Sequence, residues 1–127
     1  MEFRNDPNLP EPDFPGSHMV LDDRYVFISG LVAADLRADT PELGDVATET
    51  DAVMRALDSM LKSVGSGLES AVRVDVHLAD LRDIDAMARV YEAFFKPGRY
   101  PARTCTESPR LCGGCRVEIT VMARRAL

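Results

Sequence analysis

The stretch "YPARTCTESPRLCGGCRVEIT", residues 100–120, gathers arginine, cysteine and glutamate around what reads as a β-hairpin. Redox chemistry, metal binding and capture of an anionic substrate all compete for it. Cys112-Gly-Gly-Cys115 has C-x-x-C spacing, but a closed zinc site takes four ligands, and the two histidines, His18 and His77, lack ligand spacing to the pair. Thioredoxin-type cysteines owe their reactivity to a helix start, whereas Gly-Gly here reads as the join of two strands. The pair is expected to be a turn with incidental cysteines, able to close a disulfide under oxidation.

Arg103 is the stronger candidate. A planar guanidinium on a short strand suits bidentate capture of a carboxylate, and alternation sets Cys105 beside it. Glu118, among apolar neighbours in "RVEIT", could hold a water or exchange a proton. A plain salt bridge from Arg103 to Glu118 or Glu107 across the hairpin explains the same residues and stays open. His77 reads as a hydrogen-bonded strand residue. No Ser-His-Asp arrangement, phosphate-cradling glycine loop or dinucleotide fingerprint is present, nor the basic–aromatic interleaving of single-strand binders.

The elements that must position these residues can be read in order. Residues 1–17 hold four of the eight prolines and read as an extended or mobile arm, with residues 18–127 as one domain. Gly16-Ser17-His18-Met19 also matches the remnant of a common expression vector; no polyhistidine tract precedes it, which favours native sequence. "RYVFISG" predicts a strand over 25–29, leaving room for a β piece before it. Residues 31–44 read as a loop with turn signals at Thr40-Pro41 and Gly44. "DVATETDAVMRALDSMLKSVG" predicts a helix capped by Asp45 and stopped at Gly65. "AVRVDVHLAD" alternates, with Val72, Val74, Val76 and Leu78 on one face and Arg73, Asp75 and His77 on the other. A second helix carries Ile84, Met87, Ala88, Tyr91, Phe94 and Phe95 on one face, with Asp83 as cap and Lys96-Pro97-Gly98 as stop. Strands follow over 102–107 and 116–124.

Two helices and a sheet define a two-layer α+β domain. The helices can cover one sheet face, and alternation assigns Arg73, Asp75, His77, Arg103, Cys105 and Glu118 to the other, which meets water or another subunit.

Composition narrows the partners. The chain is 46% hydrophobic and 28% charged, with a net charge of −6. Residues 1–95 carry 8 basic and 19 acidic side chains, and residues 96–127 carry 7 basic and 2 acidic. An acidic chain disfavours a phosphate-backbone partner, while its basic C-terminal end could receive a small anion or the acidic part of another copy. No apolar run approaches a membrane span. Three cysteines and no recognisable secretory leader point to a reduced, cytoplasmic setting.

From about Pro15 onward the chain resembles the RidA/YjgF family. The residues that carry the resemblance are "FISG" (27–30), "GDVATETDAVMRALDSMLKSVGSGLESAVRVDVHLADLRD" (44–83), "YEAFF" (91–95), "PARTC" (101–105) and "VEI" (117–119). The resemblance implies a chorismate-mutase-like fold, a homotrimer whose sheets line a barrel, and sites in clefts between subunits. It implies hydrolysis of 2-imino acids or their enamine tautomers to 2-keto acids and ammonia, with no metal or organic cofactor. Arg103 matches the arginine that binds the substrate carboxylate, Glu118 the glutamate that positions or activates water, Cys105 a pocket wall, and Ser29 and Gly30 the small residues beside it. The chain departs from the family pattern at Gly16, where members carry a tyrosine, at Ala88, where they carry an asparagine, and in "GLVAAD", where they read "GQIP". A noncatalytic trimer binding a small carboxylate, a hydrolase for another substrate, a ribonuclease or translation inhibitor, and a thiol function through Cys112 and Cys115 are the competing readings.

Overall fold

The computed structural model describes residues 1–36 and 43–126, so the Thr40-Pro41 turn signal lies outside the described residues. The strands are β1 (Glu2–Arg4), β2 (Met19–Leu21), β3 (Tyr25–Val32), β4 (Ala71–Leu78), β5 (Ala102–Glu107) and β6 (Val117–Arg124). Helices α1 (Val46–Lys62) and α2 (Ile84–Glu92) complete the frame. The strands form one mixed sheet in the order β1-β2-β3-β6-β4-β5. Among the described residues, β4 and β5 are the one parallel pair, and the other pairs are antiparallel.

Helix α1 begins where Asp45 accepts the Thr48 N–H at 3.1 Å. It ends in a Schellman closure: Ser66 N–H donates to the Leu61 carbonyl and Gly65 N–H to that of Lys62, with Gly65 at φ 75°. Its stripe of Val53, Met54, Leu57, Met60 and Leu61 is buried against the sheet. Val26, Ile28, Val74, Val76, Leu78, Val117, Ile119 and Val121 meet it there, so one helix-covered core holds the domain together. Among the described residues, no helix is long and apolar enough to cross a membrane.

Several local expectations change. Strand β3 continues to Val32 and is followed by a 3-10 turn, Ala33–Asp35, where a loop was expected. Val72 does not join the core row: a register shift pairs Ala71 with Ala123 and Arg73 with Met122, and Ala71 packs against the core instead. Asp83 makes no side-chain cap on α2, because its carboxylate is engaged by the Arg116 guanidinium at 2.6 and 3.2 Å. Residues 1–17 contain β1, and Asp6 and Leu9 are buried.

The largest correction concerns the expected hairpin. β5 and β6 are separated by β4, and β5 pairs with β4 with Val74 opposite Arg103 and Val76 opposite Cys105. Paired residues point to the same face, so Arg103 and Cys105 stand on the helix-covered side, at the sheet edge. Arg73, Asp75, His77 and Glu118 stand on the open side, where His77 pairs with Glu118 and with Thr106. The face assigned by alternation is thus two faces, because the parallel register of β5 was not legible from its own residues.

Candidate active site

Arg103 lies on the outermost strand, exposed. Its guanidinium carbon sits 5.6 Å from the centre of the Tyr91 ring, a cation–π contact to α2. Neither salt bridge expected for it forms. Glu107 accepts the Leu81 N–H at 3.0 Å instead, and Glu118 is on the other face. Among the described residues Arg103 has no ion pair, so its fork of donors remains available to an incoming anion.

Around it the site is apolar and protonated. Tyr91 is buried, its hydroxyl meets no partner among the described residues, and burial pushes its pKa up to about 12 against the opposing charge of Arg103. Burial also pushes the half-buried Cys105 thiol up, with Arg103 pulling the other way. Burial thus favours the neutral thiol of Cys105 over the thiolate that a nucleophile needs.

The second group of residues is built on the β3–β6 pair. The register jumps between Ile28–Val121 and Leu31–Ile119, giving β3 a bulge at Ser29 and Gly30. A Cβ on Gly30 would lie 2.9 Å from the carboxyl carbon of Glu118 and 3.1 Å from Oε1, so the glutamate rests directly on the glycine. Ser29 is tied to the arm: its hydroxyl donates to the Ser17 carbonyl at 2.7 Å and its N–H to that of His18 at 3.0 Å. Beside the bulge opens a cavity of about 270 Å³, walled by Ser29, Gly30, Leu31 and Met60 on one side and by Leu9 to Phe14 of the arm on the other. Sequence reasoning missed this wall; the signal was an aromatic, Phe14, set among four prolines.

Ser29, Gly30 and Glu118 therefore come together, and Arg103 and Cys105 come together, but the two groups do not meet within one chain. They face opposite sides of the sheet, two strand spacings apart, about 10 Å before sheet thickness is added.

The other candidates are structural. His77 Nδ1 and the Thr106 hydroxyl share a 2.8 Å hydrogen bond, and Arg73 bonds Asp75 and Thr104 at 3.0 and 2.8 Å. Cys112 and Cys115 occupy a 3-10 turn between β5 and β6 rather than a helix start; Cys112 is exposed and Cys115 buried. Burial pushes the Cys115 thiol up. Among the described residues, no group of three or more His, Cys, Asp or Glu side chains could hold a metal ion.

Comparison with known proteins bears on the family and the fold. The endoribonuclease L-PSP family profile matches residues 8–125. The 2-iminobutanoate/2-iminopropanoate deaminase of Homo sapiens is 32% identical over 109 residues, 86% of this chain and 79% of that protein. A RutC family protein of Pyrococcus horikoshii is 29% identical, covering 91% of each. A YjgF-family crystal structure from Neisseria meningitidis superposes with a TM-score of 0.75 at 32% identity and 87% coverage of both chains. RidA from an Antarctic Psychrobacter shares the fold, with a TM-score of 0.86 at 22% identity, over 98% of this chain and 99% of that one. An α+β chain with two helices on one face of a mixed sheet, matched over nearly its whole length, defines the class. The chain belongs to the RidA/YjgF family.

Proposed function

We propose that this chain hydrolyses 2-imino acids, or their enamine tautomers, to 2-keto acids and ammonia, in sites shared between copies of a homotrimer. The observation that carries this reading is Arg103, a guanidinium on an edge strand with no ion pair among the described residues. It is supported by relatives named as imine deaminases. The opposite facing of Arg103 and Glu118 supports the shared site.

In the reaction, Arg103 of one copy holds the substrate carboxylate through two parallel hydrogen bonds, fixing C2 of the imine. Glu118 of a neighbouring copy, resting on Gly30, accepts a proton from water as the water oxygen bonds to C2. The proton is passed to the imine nitrogen, giving a carbinolamine. Glu118 then moves the hydroxyl proton of the carbinolamine to its amine nitrogen, so the C–N bond breaks with neutral ammonia as the leaving group while the C–O bond becomes the keto group. Orientation and one proton-transfer group supply the acceleration, and the scheme calls on no metal or organic cofactor. A cytoplasmic setting fits the three free cysteines.

Ammonia and keto-acid release from freshly generated imines, with wild type beside Arg103→Ala, tests the reading. Acceleration by wild type that falls roughly 100-fold in the variant is expected, the scale of losing a charge-assisted clamp. No acceleration by wild type, with small carboxylates still raising its melting temperature in an Arg103-dependent way, would instead identify a carboxylate-binding protein.

A further inference from the structure

The cavity beside Gly30 has a wall that the deaminase scheme does not use. It is made by the N-terminal arm, whose four prolines from Pro7 to Pro15 restrict its backbone. The arm is also tied down. Asp6 N–H donates to His18 Nδ1 at 2.9 Å, His18 N–H to the Asn5 side chain at 3.1 Å, and Leu9 is buried. The wall is thus preformed rather than recruited.

At the end of this wall stands Phe14, 58% exposed. Its ring folds back over Gly16: a Cβ at that position would run into Cε2 and lie 2.9 Å from Cδ2. Gly16 N–H donates to the Phe14 carbonyl at 2.8 Å, closing the turn that holds the ring in place. The aromatic surface near the bulge is therefore supplied from position 14, in space that a side chain at position 16 would need.

The rest of the lining agrees in character. Leu9, Pro10, Pro12, Leu31 and Met60 are apolar. The carboxylates at the wall are Glu11, Asp13 and Asp35, with the imidazole of His18 beside them, and no lysine or arginine lines the cavity among the described residues. At about 270 Å³ it is smaller than the roughly 300–1,000 Å³ of pockets for drug-sized ligands. It suits one side chain of a small metabolite.

We infer that this cavity receives the substrate's side chain, and that Phe14 sets selectivity for bulky apolar side chains while Glu11, Asp13 and Asp35 disfavour acidic ones. The inference rests on the deaminase reading for the position of the reacting carbon, next to Gly30 and Glu118. An apolar side chain gains contact with Phe14 and leaves water. A second carboxylate would enter a space whose charged walls carry the same sign.

The test compares wild type, Phe14→Ala and Phe14→Ala/Gly16→Phe on imines generated from leucine, phenylalanine, alanine and glutamate. In parallel, calorimetry measures binding of 4-methyl-2-oxopentanoate, phenylpyruvate, pyruvate and 2-oxoglutarate to the same proteins. Wild type should favour the leucine and phenylalanine imines, with glutamate last. Phe14→Ala should lower kcat/KM for those two about 10-fold and for alanine no more than about 2-fold, the discrimination a few lost methylene contacts provide. The second substitution should recover part of the loss, because removing Phe14 opens the space its ring occupied. Keto-acid affinities should follow the same order. Unchanged ratios in Phe14→Ala, or a wild-type preference for glutamate, overturn the inference while leaving the deaminase reading intact. If wild type hydrolyses no imine, the deaminase reading fails, and the keto-acid affinity ratios still decide whether Phe14 selects apolar side chains.

Discussion

A Cβ on Gly30 would lie 2.9 Å from the carboxyl carbon of Glu118. This close approach couples the β3 bulge to the group that handles water in the proposed reaction. Gly30→Ala should displace the carboxylate by a few tenths of an ångström or more. We expect kcat to fall about 10- to 100-fold, the sensitivity of reaction to small misplacements of a catalytic group. The melting temperature should change little, since Gly30 is exposed. Full activity in this variant would remove Glu118 from the mechanism.

Replacing Arg103 by lysine keeps the charge and loses the fork. Arg103→Lys should therefore raise KM about 10-fold or more, because an ammonium cannot make two parallel bonds to a carboxylate. Steady-state kinetics on one apolar imine decides it, and an unchanged KM would show that charge alone suffices.

Glu49 joins the two layers beneath the site. It is fully buried, and its two oxygens accept the N–H groups of Gly44 and Arg116, each at 2.8 Å. Glu49→Ala would strip both donors of their acceptor just before β6, at a cost of about 2–4 kcal/mol. Denaturant unfolding measures this directly; a loss below about 1 kcal/mol would mean that water or a shifted neighbour replaces the carboxylate.

Acid sensitivity should include Asp80. Hydrogen bonds from the Arg82 side chain, then from its backbone N–H, hold the Asp80 carboxyl down to about 2 from 3.8. A value lower in the folded state than in the unfolded one means stabilisation that is complete above the unfolded pKa and lost as pH falls through the folded one. The melting temperature should therefore drop between pH 3.8 and about 2, and Asp80→Asn should flatten that part of the profile. Superimposable profiles would show that the pair contributes nothing, as for many exposed ion pairs.

Much of this architecture could be read locally. Asp45 and Gly65 bracket α1 because capping chemistry depends on neighbours within a turn. The alternation around Val74, Val76 and Leu78 identified the core face of β4 because a half-buried strand repeats every two residues. The partner of β5 was not legible, since "ARTCTE" is polar on both sides and parallel pairing is set by a distant strand. That is why Arg103 was placed on the wrong face. The bulge at Val72 and the strand at Glu2–Arg4 were missed for a related reason: each depends on a tertiary partner, Ala123 for one and Met19–Leu21 for the other. Ser29, Gly30 and Glu118 were named from the family resemblance, but their contact comes from the β3–β6 register. Phe14 entered only through its position over Gly16.

In the proposed trimer, one site takes Arg103 from one copy and Glu118 from another. Subunit mixing tests it most directly. Arg103→Ala and Glu118→Gln proteins, each inactive alone, are unfolded, mixed in equal amounts, refolded together and assayed. Random assembly of a cyclic trimer would give about a quarter of the wild-type site activity, since each interface then has an even chance of receiving either intact group. No recovery, with mixed trimers demonstrated by mass, would contradict the account and require both residues to act within a single chain.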